Sequence, residues 1–164
     1  MQRSLAIAIA LCIVFVASSP EAKSESTAGE LNKKATDSLQ KKDYKASLGF
    51  LLDEVQLLNQ TGESLDLAYC YYKLGVVYGL LENFQSAIAA EKMSLRIYEK
   101  FLKADDFKLA NTVEALGDFH ASLNEYPEAE KFYRRLNKFY RRLNALNSRI
   151  STTHPPFINI LTLI

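Results

Sequence analysis

Cysteine and histidine are scarce in this sequence, with two of each among 164 residues. One cysteine, Cys12, falls in an apolar leader, so Cys70 has no partner for an internal disulfide, and the folded part must stand on packing alone. With His120 and His154 far from Cys70 in the chain, no cluster of metal-ligand type exists, and neither a metal nor another cofactor is expected. An excess of either charge is also missing. Lys+Arg 20 against Asp+Glu 19 leaves a net charge of +1, which removes the bulk argument for a nucleic-acid partner. There is no glycine-rich phosphate loop and no Gly-x-Ser-x-Gly motif, and the acids are spread along solvated faces rather than paired. The sequence therefore reads as non-enzymatic.

Long hydrophobic runs are absent except at the start, where Arg3 precedes an unbroken apolar stretch from Leu5 to Val16, followed by the small residues Ala17, Ser18 and Ser19. Twelve apolar residues fall short of the roughly 20 that cross a bilayer. Residues 1–18 are thus expected to be a secretory signal peptide cut near Ser18 or Ser19, placing the chain in the secretory pathway, outside the cell or in a periplasm. An uncleaved anchor is the alternative. Residues 19–27 read as a disordered linker.

What is present is self-similarity. A shift of 42 residues superposes Leu67 on Leu109, Ala68 on Ala110, Leu74 on Leu116, Gly75 on Gly117, Leu81 on Leu123, Ala87 on Ala129 and Tyr98 on Tyr140. Leu67, Tyr71, Leu74, Gly75 and Tyr78 make one apolar stripe at the helical period. A mid-helix glycine costs about 1 kcal/mol against alanine, so Gly75 and Gly117 imply close approach of a neighbouring helix. Turn signals at Glu82-Asn83-Phe84 and Asn124-Glu125-Tyr126-Pro127 separate two helices per unit, and Gly62 with Ser64, and Asp105 with Asp106, punctuate between units. Lys42-Asp43-Tyr44 marks a weaker first copy. Six helices follow, near 28–41, 44–59, 65–82, 85–103, 107–124 and 127–147: an all-α solenoid of about three antiparallel hairpins over residues 28–147.

Tyr71, Leu74-Gly75, Tyr78, Phe84 and Ala87, echoed by Leu116-Gly117, Tyr126, Ala129 and Tyr133, resemble the tetratricopeptide repeat pattern, and the 42-residue period is similar to that of kinesin light chains. Glu91 stands where the pattern usually has an aromatic. The resemblance implies a short right-handed superhelix that acts as a non-catalytic scaffold and holds a peptide segment in a concave groove. It also implies which first-helix positions line that groove: Asn32, Thr36 and Gln40, then Tyr72, Val76 and Gly79, then Asn111, Glu114, Asp118 and Ser122. The expected contact residues are Tyr72, Val76, Asn111, Glu114, Asp118 and Ser122. With no Lys or Arg among them, this surface suits a protein or peptide partner bearing Lys or Arg and an apolar anchor, rather than an acidic tail.

One further pattern stands out: Lys131-Phe-Tyr-Arg-Arg-Leu-Asn137 is followed at once by an identical heptad, 138–144. Seven residues are nearly two helical turns, so duplication lengthens the helix while rotating its face by only about 20°. Lys131, Arg134, Arg135, Lys138, Arg141 and Arg142 then share one arc, the aromatic and leucine residues another. Either this is the solvated outer face of the last hairpin, or it is a basic surface for an acidic lipid head group or an acidic protein, with membrane-surface contact as its consequence. Residues 148–164 change character, being interrupted by Pro155-Pro156 and then largely apolar, and read as an irregular tail. Asn59-Gln60-Thr61 is a candidate glycosylation sequon.

Overall fold

A computed structural model of the chain describes the backbone of residues 20–153 and the side chains of residues 27–146. Its elements are α1 (Pro20–Gln40), α2 (Tyr44–Leu58), α3 (Leu65–Leu80), α4 (Phe84–Phe101), α5 (Phe107–Ser122) and α6 (Tyr126–Thr153), with no strand among the described residues. The helices pack as consecutive antiparallel hairpins, α1 with α2, α3 with α4 and α5 with α6, and α3 also touches α5 directly. This is the all-α hairpin solenoid that the repeats imply. Helix starts Leu65 and Phe107 lie 107 − 65 = 42 residues apart, as do Phe84 and Tyr126, 126 − 84 = 42.

Two boundaries differ from those read off the sequence. Residues 20–27, expected as a linker, are continuous with α1, because nothing between Pro20 and Gln40 breaks a helix and Pro20 takes the first position, where its missing N–H costs nothing. Residues 148–153, expected as irregular, continue α6, since no proline or glycine intervenes before Pro155. The expected signal peptide, 1–18, and the rest of the apolar tail, 154–164, lie outside the described residues. No helix among the described residues is long and apolar enough to cross a membrane.

The turn inside each hairpin is built the same way three times. Lys42, Glu82 and Asn124 take positive φ (61°, 57° and 61°), which lets the next amide bond back across the helix end. Asp43 N–H donates to Ser38 O, Asn83 N–H to Tyr78 O and Glu125 N–H to His120 O, closing the paired pattern of a Schellman cap. In the first two turns the residue after the positive-φ position then caps the second helix, Asp43 accepting from Ala46 N–H and Asn83 from Ser86 N–H. Between hairpins, Ser64 accepts from Leu67 N–H, Asp106 accepts from Lys108 N–H, and Gly62 turns the chain at φ 94°. Glu63 in the first of these loops binds Arg96 and Lys100 of α4, whose hydrogen bonds, Lys100 first, hold its carboxyl below the ordinary carboxylate range.

The close helix approach implied by the mid-helix glycines is real. A Cβ on Gly75 would meet the Glu91 side chain at 2.3 Å, and one on Gly117 would meet the Tyr133 ring at 2.7 Å. Ala87 and Ala129 are buried at the other crossing, and Ser47, their counterpart in the first hairpin, donates its hydroxyl to Ala35 O at 2.9 Å. Leu51, Leu67, Leu74, Val77, Ile97 and Leu116 fill one continuous core along the stack.

A left-handed backbone costs an ordinary L-residue about 1–2 kcal/mol, less for asparagine. Glu82→Gly is therefore expected to raise stability by up to about 1 kcal/mol after the added freedom of the unfolded chain is counted, while Asn124→Gly changes little. Urea unfolding of the two variants checks this; a less stable Glu82→Gly would contradict it.

Candidate functional site

The first helices of the hairpins, α1, α3 and α5, present the residues expected to bind a partner. On α5, Asn111, Glu114, Asp118 and Ser122 are all exposed and fall within one arc of about 80° at 100° per residue. On α3, Tyr72 and Val76 are half-buried, and Gly79 lies under the ring of Phe119 from α5. The two helices form one patch: burial first, then Glu91 and Tyr69, and last Glu114 of α5, push the Tyr72 hydroxyl above its ordinary pKa. Tyr133 of α6 joins from the other side, donating its hydroxyl to Asp118 Oδ1 at 2.8 Å, which with the Glu114 charge raises its pKa too. Glu114 and Asp118 thus sit between two tyrosines. Ser122 donates its hydroxyl to Asp118 O within its own helix at 2.9 Å, so it is a weaker contact candidate than its neighbours.

Toward α1 the surface contains residues that sequence spacing did not single out. Tyr69, 45% exposed, stacks on Tyr72 with centroids 6.2 Å apart. Lys73 Nζ lies 5.2 Å from the centre of the Tyr69 ring and 3.2 Å from Glu54 Oε2, while Asn32 Nδ2 donates to Glu54 Oε1 at 3.1 Å. Glu54 is buried, so both partners are needed to offset its desolvation. Lys73 therefore carries its charge inward, to an acid, rather than to a ligand. Asn32, Glu54, Leu58, Asp66 and Tyr69 line a cavity of about 410 Å³ where α1, α2 and α3 meet. Thr36 donates to Asn32 O inside α1, and Gln40 is exposed at its end.

Beneath this surface lies Glu91, 0% exposed, with neither carboxylate oxygen hydrogen-bonded. It occupies the position of Tyr133 one repeat earlier, 133 − 91 = 42, filling the space over Gly75 that an aromatic ring fills over Gly117. Burial pushes its pKa up from 4.5 to about 9, so it is neutral at physiological pH and adds no charge to the tyrosine surface.

The duplicated heptad is divided by the fold. In its first copy Phe132 stacks on buried His120 at 5.4 Å, Lys131 pairs with Glu128 at 3.3 Å, Arg134 with Glu130 at 2.7 Å, and Arg135 with Glu99 of α4. In the second copy Lys138, Arg141 and Arg142 form no ion pair among the described residues. Among the described residues the cationic arc is thus three paired and three unpaired charges, not six equivalent ones. Asn59 caps the end of α2, exposed, its amide 3.4 Å from the Tyr71 hydroxyl.

Cys70 is buried, donates weakly to Leu51 O at 3.5 Å, and has its thiol pKa pushed far up by burial, the opposite of what a nucleophile requires. No group of three or more His, Cys, Asp or Glu residues is placed to hold a metal among the described residues.

A stack of helical hairpins with a short-side-chain crossing in each defines a helical-repeat scaffold. The tetratricopeptide repeat family pattern matches residues 67–107, from α3 into the start of α5, so this stretch carries a tetratricopeptide repeat. Its fold is similar to the crystal structure of BtubC (BKLC) from P. vanneervenii, with a TM-score of 0.66 and 20% identity, over 71% of this chain and 48% of that one. It is also similar to the tetratricopeptide-repeat domain of Arabidopsis FLU, with a TM-score of 0.64 and 16% identity, over 74% of this chain and 98% of that domain. This chain spans about half the length of the BtubC chain. No curated protein matches it. The matched repeat, with the fold around it, supports a scaffold for protein–protein interaction.

The Glu91 linkage has a definite sign. Its pKa in the fold lies above its ordinary value, so its favourable contribution is complete below about pH 4.5 and is lost as pH rises toward about 9. Glu91→Gln, which resembles the protonated acid, is expected to flatten this slope and to be the more stable protein at pH 8. Melting temperatures of both proteins from pH 5 to pH 9 check it; parallel profiles would refute the assignment.

Proposed function

We propose that this protein is a non-catalytic adaptor that holds a peptide segment on the first-helix face, between Tyr69 and Tyr72 on α3 and Glu114 and Asp118 on α5. The observation that carries the reading is the pairing of two stacked tyrosines, Tyr69 exposed and Tyr72 half-buried, with two solvent-facing carboxylates on the adjoining helix. Such a face suits a segment with an apolar or aromatic anchor for the tyrosines and a Lys or Arg for the carboxylates. Acidic tails are disfavoured because Lys73, the cation beside the tyrosines, is held by Glu54. Residues 1–18 serve in this reading as a signal peptide, and the adaptor works in the secretory pathway, outside the cell or in a periplasm. The repeats are of the 42-residue kind found in kinesin light chains.

A second reading, contact with an anionic membrane surface through α6, is favoured by the three free cations Lys138, Arg141 and Arg142. Binding to phosphatidylserine vesicles that disappears at high salt and in Arg141→Gln/Arg142→Gln supports it; salt-insensitive binding opposes it.

The first-helix reading is tested with fluorescein-labelled peptides that pair a Leu or Tyr with Lys or Arg. Glu114→Gln/Asp118→Asn is expected to weaken them roughly tenfold and to leave acidic peptides unaffected. Equal affinity for the basic peptides in wild type and double variant would sink the proposal.

A further inference from the structure

The second copy of the heptad builds something the first does not. Seven residues advance a helix by roughly 10 Å, so each second-copy residue repeats the orientation of its first-copy counterpart while facing new surroundings. Arg135 meets Glu99 near the end of α4, but its counterpart Arg142 passes that end, since α4 stops at Phe101. Phe132 packs inside the hairpin against His120, but its counterpart Phe139 reaches Phe107, the first residue of α5, edge-on at 5.7 Å.

Between the end of α4, the start of α5 and this stretch of α6 lies a cavity of about 340 Å³, open to solvent. Its apolar wall is Leu102, Leu109, Val113, Leu136 and Phe139, and its charged rim is Glu99, Arg135, Lys138 and Arg142. Glu99 and Arg135 neutralise one another, which leaves Lys138 and Arg142, one helical turn apart, as two free positive charges beside an apolar hollow. A cation pair of this kind complements a carboxylate, and the hollow complements the large side chain beside it.

From this geometry we infer that the cavity is a second docking site, for a partner peptide in which Glu or Asp adjoins a Leu- or Phe-sized side chain. It is separate from the first-helix face. On α5 the cavity residues Leu109, Ala110 and Val113 are centred roughly 140° round the helix from Asn111, Glu114, Asp118 and Ser122. The inference shares with the proposed function only the premise that this scaffold binds protein segments, not the occupancy of the first-helix face.

The test measures the full chain by fluorescence anisotropy against short peptides with Leu or Phe flanked by glutamates, and against the same peptides with glutamines or lysines. The glutamate peptides are expected to bind, roughly tenfold more weakly at high salt, and the glutamine and lysine peptides much less. Lys138→Gln/Arg142→Gln should abolish the difference, and Ala104→Phe, a surface substitution that fills the hollow, should block binding with both cations intact. Both variants should still bind the basic peptides of the first-helix test, so failure of one site is read apart from failure of the other. Absent binding of the glutamate peptides, or binding unchanged in the double variant, overturns the inference. So does finding that phosphatidylserine vesicles or a second copy of the chain, rather than the peptides, depend on Lys138 and Arg142.

Discussion

Everything in this molecule depends on how closely the two helices of a hairpin can cross. Glycine at 75 and 117 removes the side chain that would hold the helices apart, and the partner helix answers with one large group laid into the gap: Glu91 in one hairpin, Tyr133 in the next. In the later hairpin the ring emerges at the surface, and its hydroxyl anchors Asp118. In the earlier one the group is a carboxylic acid with no hydrogen-bond partner, kept neutral by burial. The same backbone constraint thus produces a surface contact in one repeat and a pH-sensitive weakness in the other. Ala87, Ala129 and Ser47 play the complementary part at the second crossing.

Much of this was legible in the sequence, because tight crossings and turns are local and periodic. The 42-residue offset aligned both glycines, and Lys42-Asp43, Glu82-Asn83 and Asn124-Glu125 marked the hairpin turns within two residues of the observed helix ends. The first-helix positions of α5 also share one exposed arc as expected. What could not be read were pairings between residues far apart in the chain. Glu54 with Lys73, and Glu99 with Arg135, are 19 and 36 residues apart, and nothing in helical periodicity selects those partners. Tyr69 was passed over because it lies off the positions the repeat pattern assigns to the groove, although an exposed tyrosine three residues before another is a signal that helical spacing could have raised.

The duplicated heptad shows why an inserted segment can be neutral for folding and consequential for surface chemistry. It preserves the helical face, so Phe139 finds an apolar partner as Phe132 did, and the hairpin closes. Ion pairing does not repeat: Lys131 and Arg134 pair with Glu128 and Glu130 of their own helix, whose places one heptad on are taken by Arg135 and Asn137, and only Arg135 reaches an acid on another helix, Glu99. Arg135 is the last cation of α6 with a carboxylate opposite it among the described residues. Phe139 lies opposite Phe107, the first residue of α5, and the stretch of α6 that follows it, residues 140–153, carries cations and no acids.

A net charge of +1 therefore conceals two surfaces of opposite sign. The first-helix face takes its sign from Glu114 and Asp118, because Lys73 is spent on Glu54 and Glu91 is uncharged. The cavity rim takes its sign from Lys138 and Arg142, because Glu99, the one acid on the rim, is paired with Arg135. Both surfaces are built on α5, whose apolar arc closes the cavity while its acidic arc faces the other way. If both surfaces bind as proposed, an apolar anchor is common to the two ligands and supplies burial at either site, so the sign of the charge beside it sorts them between the arcs.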